Sequence, residues 1–400
     1  MRPFDARRVL LGVTGGIASY KSAWLARLLW QAGADVDVVM TRAATEFVGP
    51  VTFEALTGRP VHTDLFAPGR TLDHIRLARE ADAIVVAPAT ADFMARAAHG
   101  QADDLLAAVL LATEAPVLLV PAMNDRMWAH AQTARNVAHL RELGYRVVDP
   151  ETGRLAAGEG QGPGRMPEPE TIFAHAARLL EPQRWRGRRI VVTAGPTREA
   201  VDPVRFLSNR SSGKMGVALA STAWRRGADV VLIAGPLDVP APVGPRLISI
   251  ETTDEMACEV KKALGQADAL IMAAAPADFR PAEPAAGKIK KSHAPGAIAL
   301  APTPDVLADT RALRNDGMIT VGFALETDNV IANGRAKLDA KDLDLIVVND
   351  ALEPGAGFAV DTNRVALIAR GGTVEELPLM PKAELADVIL DRVEALFGER

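Results

Sequence analysis

Residues 8–30 read RVLLGVTGGIASYKSAWLARLLW, and this stretch decides the fold. Arg8 to Thr14 is a run of apolar, β-branched-rich residues, the pattern of a buried strand. Gly15 and Gly16 then turn the chain. From Ile17 to Trp30 the apolar residues recur at helical spacing. Strand, glycine turn and helix in that order make the first half of a βαβ unit, so the expectation is a parallel sheet covered on both faces. Working outward, Val36–Met40, Ala83–Ala87 and Val117–Val120 read as further strands. The last two are followed closely by Pro88 and Pro121.

The segment from about Asp149 to Pro169, which includes GRLAAGEGQGPGRMPEP, breaks this rhythm. It has no period, and it reads either as a linker or as a flap over a site. The alternation restarts at Arg188 with RRIVVTAG. It continues through ADVVLIAG, ADALIMAAA, MITVGFA, LDLIVVND and RVALIAR. The restart divides the chain into 1–180 and 187–400, with the boundary near Pro182. The 400 residues fit two or three domains.

The chain carries 45 Lys and Arg against 50 Asp and Glu, a net charge of −5, and 48% of it is hydrophobic. That excludes a disordered tail protein and argues against nonspecific nucleic-acid binding. The apolar region from Leu105 to Val120 is interrupted by Glu114 and Pro116, too short a stretch for a membrane span. The N-terminus shows no signal-peptide pattern. The single cysteine, Cys258, cannot form an internal disulfide; it reads as core filler, and a reducing cytoplasmic home is expected.

In open parallel sheets ligands sit beyond the carboxyl ends of strands. The VTGGIAS loop is placed there, and backbone amides at a helix start suit one phosphate. It is not G-x-G-x-x-G, which argues against a dinucleotide. With Thr41 and Pro88-Ala89-Thr90 at neighbouring strand ends, it fits a mononucleotide such as FMN. His74, in LDHIRLARE, reads as an ordinary surface histidine or as a catalytic one. Asn124, in PAMNDRMW, reads as part of a packing loop or as a residue binding a carboxylate or an amide.

In the second half, Ser211-Ser212-Gly213-Lys214 matches S-x-x-K without its β-lactamase companions, and it is not a Walker loop. What remains is a polar loop entering a helix, able to receive an anion. Lys288-Ile289-Lys290-Lys291 is a basic cluster. Lys337 and Lys341 lie four apart on one helix, and Asp278 follows a strand. Such cations are either a solvated face or the counter-charge for a triphosphate.

Together these motifs resemble a family. They are GGIASYK, HIRLAREADAIVVAPATAD, PAMNDRMW, GPGRM, TAGPTREAVDPVRFLSNRSSGKMG, KIKK and VGFALETDN. The resemblance is to the bacterial bifunctional phosphopantothenoylcysteine decarboxylase / phosphopantothenate–cysteine ligase of coenzyme A biosynthesis. It covers nearly the whole chain. It implies two doubly wound Rossmann-like domains. The N-terminal one would be a flavodoxin-like FMN flavoprotein and the C-terminal one a CTP-dependent ligase. The substrates implied are 4′-phosphopantothenate, L-cysteine and CTP, with Mg²⁺ assisting. Ligation would pass through an acyl-cytidylate, and decarboxylation to 4′-phosphopantetheine would follow.

By resemblance, His74 and Asn124 serve decarboxylation, and Gly15, Gly16, Ile17, Thr41, Ala89, Thr90, Ala122 and Met123 touch FMN. Asn209 contacts the acyl-cytidylate and Lys288 is a catalytic lysine. Gly195, Ala273, Ala274, Ala275, Asp278, Lys288, Phe323, Lys337 and Lys341 bind CTP, with Asp278 also at the metal. Many members carry a flap cysteine credited with protonation; here Ala157 stands near that place, and Glu159 or a water is the alternative donor. A homo-oligomer is implied, with trimers joined through dimers into a dodecamer. Two other readings are a nucleotide-binding regulatory protein without catalysis and a pyridine-nucleotide oxidoreductase. A yellow protein would count against both.

Overall fold

A computed structural model describes residues 3–155, 158, 160–290, 296–353, 355, 357 and 360–398. Ala157, Glu159 and Lys291 lie outside the described residues. The chain forms two compact units, Met1–Pro182 and Gln183–Arg400.

The first unit runs β1 (Arg8–Val13), α1 (Ser19–Gln31), β2 (Asp35–Met40), α2 (Pro50–Thr57), β3 (Val61–His62), α3 (Asp73–Glu80) and β4 (Ala83–Ala89). It continues with α4 (Ala91–Ala98), α5 (Leu105–Ala112), β5 (Val117–Pro121), α6 (Asp125–Ala129), α7 (Ala131–Glu142) and β6 (Arg146–Val147). A hairpin, β7 (Glu151–Arg154) and β8 (Gln161–Arg165), precedes α8 (Pro169–Leu180). The parallel sheet has the order β3-β2-β1-β4-β5-β6. Without the two-residue edge strand β3, that is the flavodoxin order 2-1-3-4-5.

Strand alternation splits β1 between two cores. Val9, Leu11 and Val13 pack with Leu25, Leu29, Ile172 and Ala176 from α1 and α8. Leu10 faces Leu77, Phe93 and Leu106 from α3, α4 and α5. Both faces are covered, as a parallel sheet requires. The aperiodic segment near residue 150 is neither a bare linker nor structureless. β7 and β8 pair antiparallel, with a register shift at Glu151 and Thr152. The strands escaped the sequence reading because glycine and proline make up most of β8 (QGPGR).

The second unit contains β9 (Arg189–Ala194), β10 (Arg198–Ala200), β11 (Phe206–Ser208), α9 (Lys214–Arg225), β12 (Asp229–Ala234), β13 (Arg246–Ser249), α10 (Thr253–Leu264) and β14 (Ala269–Met272). Then come β15 (Phe279–Pro281), β16 (Leu300–Pro302), α11 (Val306–Thr310), β17 (Ile319–Glu326), α12 (Val330–Ala340) and β18 (Leu345–Asp350). β19 (Thr362–Asn363), β20 (Ala366–Ala369), β21 (Val374–Glu376), β22 (Met380–Pro381) and α13 (Lys382–Gly398) complete it. Its sheet runs β13-β12-β9-β14-β17-β18-β20-β21, with the last two strands antiparallel.

Again β9 alternates: Ile190 and Val192 pack with Leu219 and Leu385, while Val191 packs with Met256 and Val260. Cys258 is not core filler. It is exposed on α10, between the buried Ala257 and Val260, and the nearby Lys262 is held more basic by Glu259 and by the thiol. Among the described residues no helix is long and apolar enough to cross a membrane.

Candidate functional sites

In the first unit the order in which the strands are laid down reverses between the parallel neighbours β1 and β4, and Thr14 laces the two strand ends together. Its Oγ1 donates to the Pro88 carbonyl at 2.8 Å and accepts from the Thr90 amide at 3.0 Å. The glycine loop then passes close to the next strand end. A Cβ on Gly15 would lie 2.3 Å from the Cβ of Ala43, so only glycine fits there. A Cβ on Gly16 would meet nothing nearer than 3.8 Å, so the loop is open on that side. α1 has no side-chain cap at Ala18; the Gly16, Ser19 and Lys21 amides donate instead to the Thr14, Gly16 and Ala18 carbonyls, each at 3.0 Å.

Thr41 caps the 3₁₀ turn Arg42–Glu46 and Thr90 caps α4. The Ala122 amide donates to Ala89 at 3.3 Å. Gly15, Gly16, Ile17, Thr41, Ala89, Thr90, Ala122 and Met123 therefore share one rim, at the carboxyl ends of β1, β2, β4 and β5.

The hairpin docks on the continuation of that rim. The Met123 amide donates to the Gly164 carbonyl at 3.0 Å. Asn124 caps α6, its Oδ1 accepting from the Arg126 amide at 2.9 Å. Lys21, almost fully buried, reaches from α1 to the Met166 carbonyl at 2.8 Å and to Glu168 at 3.1 Å, anchoring the foot of β8.

His74 stands apart from these residues. It lines a hollow of about 360 Å³ with Leu65, Phe66, Thr71, Ala108 and Leu111, and none of the rim residues borders it. Its Nδ1 is buried with no hydrogen-bond partner among the described residues. The structure thus gathers Asn124 with the rim loops but does not bring His74 to them within one chain. The physical reason is that α3 packs on α5 rather than on the glycine loop.

In the second unit a cavity of about 400 Å³ opens beyond the ends of β14 and β17. Asn209, Ala273, Ala274, Ala275, Asp278, Phe323, Lys337 and Lys341 all line it. Asn209 Nδ2 donates to the Ala275 and Pro276 carbonyls at 3.1 and 2.9 Å. α9 enters the cavity after Gly213, whose φ of +78° places it in the left-handed region, and no side chain caps the helix. Lys337 pairs with Glu326 at 2.6 Å and Lys341 with Asp305 at 3.0 Å. Burial pushes the Asp305 carboxyl up, but bonds from the Ala308 amide and Lys341 outweigh it and hold it below the usual range.

Two expected residues fall outside the lining. Gly195 sits behind the wall: its carbonyl accepts from the Ala275 amide at 2.9 Å, and a Cβ on Gly213 would lie 3.4 Å from its nitrogen. Lys288 is exposed and does not border the cavity. Its loop is fastened one residue later, where the Ile289 amide donates to Asp202 at 3.1 Å and its carbonyl accepts from Arg205 at 2.9 Å. The Arg205 guanidinium holds the Asp202 carboxyl well below the usual carboxylate range.

The sequence reading missed Asp305, Asn363 and Lys382, which also line the cavity. Asp305 could have been found as a helix cap before Val306; Lys382 looks like an ordinary helix start. Lys382 is buried and donates to the Gly357 and Val360 carbonyls at 2.8 and 2.7 Å. Burial, with Lys214 nearby, lowers its pKa to about 8. Among the described residues no three His, Cys, Asp or Glu side chains form a metal cluster.

Residues 2–181 match the family model described as Flavoprotein, and residues 185–396 the one described as DNA/pantothenate metabolism flavoprotein C-terminal domain. The chain is 42% identical over 402 residues to the coenzyme A biosynthesis bifunctional protein CoaBC of Vibrio vulnificus, covering 100% of both chains. It is 47% identical over 403 residues to the protein of the same name from Mycobacterium bovis, covering 97% of this chain and 96% of that one. A crystal structure of the C-terminal domain of a coenzyme A biosynthesis bifunctional protein CoaBC matches at 35% identity. It covers 55% of this chain and 100% of that one, with a TM-score of 0.47.

Proposed function

The chain belongs to the family of coenzyme A biosynthesis bifunctional proteins, and we propose that its two sites divide the family's work as follows. The chain is a bifunctional enzyme: it ligates phosphopantothenate with cysteine and decarboxylates the phosphopantothenoylcysteine formed. The first unit is a flavoprotein. Its rim is assigned to FMN, the phosphate at the Gly15–Ala18 turn and the ring toward Ala89, Ala122 and Met123. The open side of Gly16 supports this. Bound there, the flavin supplies reversible two-electron oxidation, which lets a carboxylate leave beside a carbon that could not otherwise hold the charge. Asn124 binds the substrate carboxylate and the hairpin excludes water. His74 moves the proton from a second copy of the chain. This accounts for its separation from the rim and for the exposed Phe66 and Leu111 around its hollow. The active form is then a homo-oligomer, with trimers joined through dimers into a dodecamer.

The cavity of the second unit is assigned to CTP. The single observation that carries this is the convergence of Lys337, Lys341, Asp278 and the uncapped α9 on one hollow. A carboxylate is a poor electrophile, so phosphopantothenate must be activated, here as an acyl-cytidylate with release of pyrophosphate. Asn209 holds the wall against which that adduct lies. Lysines stabilise charge building on the phosphates. With no metal cluster among the described residues, Mg²⁺ is held by Asp278 together with phosphate oxygens, the ordinary mode for this ion. Lys288 reaches the acyl phosphate when its loop folds over bound nucleotide. The lone, exposed thiol of Cys258 fits a cytoplasmic protein.

The test is direct. The purified protein should be yellow and should release pyrophosphate only with CTP, cysteine and phosphopantothenate together. Lys288→Gln stops amide formation and leaves decarboxylation of supplied phosphopantothenoylcysteine intact. Loss of both activities in a folded Lys288→Gln protein would contradict two separate sites.

A further inference from the structure

We infer that Glu199, acting through the hydroxyls of Thr253 and Thr197, positions the Ala277–Asp278 edge of the nucleotide cavity. This rests on the ligase reading above and adds a residue that touches no substrate.

The observation is a hydrogen-bond chain in a dry place. Thr197 and Thr253 are fully buried, Glu199 is 4% exposed and Ala277 is 8% exposed. Strand alternation points Thr197 and Glu199 the same way, inward, while Arg198 between them lies over the Phe206 ring outside. Glu199 Oε1 accepts from both the amide and the hydroxyl of Thr253, each at 2.9 Å. The two threonine hydroxyls are 2.8 Å apart. The Ala277 amide donates to Thr197 Oγ1 at 2.9 Å.

Proton counting gives this chain one direction. A carboxylate only accepts, so Thr253 spends its hydroxyl proton on Glu199. Thr253 Oγ1 must then accept from Thr197, which spends its own proton there. Thr197 Oγ1 is left as an acceptor, matched to the Ala277 amide. The rival bond from Thr253 to the Ala277 carbonyl is longer, 3.4 Å, and that carbonyl already accepts from Thr303 at 2.5 Å. The Thr303 amide also donates to the Asp278 carbonyl at 3.0 Å. Ala277 is thus gripped on both its polar groups, and Asp278, which faces the cavity, follows from it. The same strand reaches Asn209, since Ser208 Oγ donates to the Thr197 carbonyl at 2.7 Å. One buried carboxylate therefore sets the acceptor that fixes Asp278, beside the carbonyls that hold Asn209. A network of this kind stands or falls as a unit, because each unmade bond would leave a buried polar group unpaired.

The experiment compares Thr197→Val, which keeps the shape and deletes the hydroxyl, with Thr197→Ser, which keeps the hydroxyl. Both are made in the full chain. Ligation is read as pyrophosphate release against CTP and against cysteine, and decarboxylation of supplied phosphopantothenoylcysteine reports integrity of the preparation. Thr197→Val is expected to lower kcat/KM for CTP by about tenfold to a hundredfold. The KM for cysteine and the decarboxylation rate should stay at parent values, and Thr197→Ser should restore ligation. Adding Thr253→Val to Thr197→Val should cost little more, since both cut one chain. Should Thr197→Val fail to fold, Glu199→Gln keeps volume and an acceptor and should show a smaller loss of the same kind. A parent chain that releases no pyrophosphate refutes the ligase reading. An active parent with an equally active Thr197→Val, or a Thr197→Ser as impaired as Thr197→Val, refutes this inference alone.

Discussion

Gly164→Ala should uncouple the hairpin from the Met123–Asn124 loop and cost decarboxylation while sparing ligation. Gly164 has φ +150°, and an added Cβ would stand 2.2 Å from the Met123 carbonyl oxygen and 3.3 Å from the Asn124 carbonyl carbon. Both are backbone atoms, so no side chain can swing aside. A carbon rests against a carbonyl oxygen at about 3.3 Å, so β8 must retreat by roughly 1 Å. That breaks the 3.0 Å bond from the Met123 amide to Gly164, worth about 1 kcal/mol net. An L-residue forced to positive φ adds about 1–2 kcal/mol, and residual overpacking about 1–3 kcal/mol. The docked hairpin is thus destabilised by about 3–6 kcal/mol relative to the undocked one, which at 1.4 kcal/mol per tenfold is about two to four decades in its population. The assay is carbon dioxide release from phosphopantothenoylcysteine, with visible flavin absorbance recorded on the same sample and pyrophosphate release as the internal control. Flavin should remain, because the Gly15–Ala18 turn is untouched. Decarboxylation at the parent rate by a flavin-loaded Gly164→Ala protein would refute the argument that β8 holds this loop in its working position.

Gly15→Ala addresses the other end of the rim. With its Cβ 2.3 Å from that of Ala43 and 2.9 Å from a backbone carbon, it should yield protein with little flavin but normal ligation, read from the flavin-to-protein ratio. Lys341→Met removes the partner of Asp305 and one cation from the cavity. It should raise the KM for CTP by about tenfold or more, the worth of a hydrogen bond to a charged group, and leave decarboxylation unchanged in parallel assays. Lys382 makes a pH prediction. Its folded pKa, about 8, lies below its ordinary 10.5, so below pH 8 both states are protonated and the cost of burial is felt in full. Between those values the unfolded chain binds more protons, so stability rises with pH. Thermal unfolding of Lys382→Met should lack that rise; parallel curves for parent and variant would contradict it.

The sheets were legible because their signal is physical and local. Val9, Leu11 and Val13 must be apolar to fill one core while Leu10 fills the other, and a continuous run such as RVLLGV records both demands at once. Gly15 was legible for a related reason, since a strand must turn there beside Ala43. The hairpin was not. GRLAAGEGQGPGRM has no hydrophobic period because Gly162 and Gly164 are chosen for close approach to Asp125 and Met123, not for burial. Asp305 and Lys382 were missed as site residues for a third reason. Each looks locally like a helix terminus, and only the tertiary fold brings them to the cavity, 94 and 171 residues along the chain from Ser211. Lys288 shows the reverse case: the KIKK motif carries a family resemblance, yet the residue is exposed and stands off the cavity lining.

The two proposed sites share one device, and what differs between them supports the proposed division of labour. Each places a loop at the reversal of a parallel sheet and lets it enter a helix whose start no side chain caps, α1 after Ala18 and α9 after Gly213. Backbone amides and the helix dipole can neutralise about half a charge there, enough for one phosphate monoester beside solvent. A nucleoside triphosphate carries several charges more, and amides alone cannot hold them. Only the second unit adds the difference: Lys214, Lys337, Lys341 and Lys382 all border its cavity. The first unit surrounds its loop with Ile17, Ala122 and Met123 instead, surfaces suited to a flat ring and not to charge. Removing cations from the second cavity should therefore weaken nucleotide binding in proportion to the charge removed, with affinity falling steeply as salt is raised. Flavin retention by the first unit should be nearly independent of salt. Equal salt sensitivity of the two would mean that the same electrostatics holds both ligands, and that the lysines are only a solvated rim.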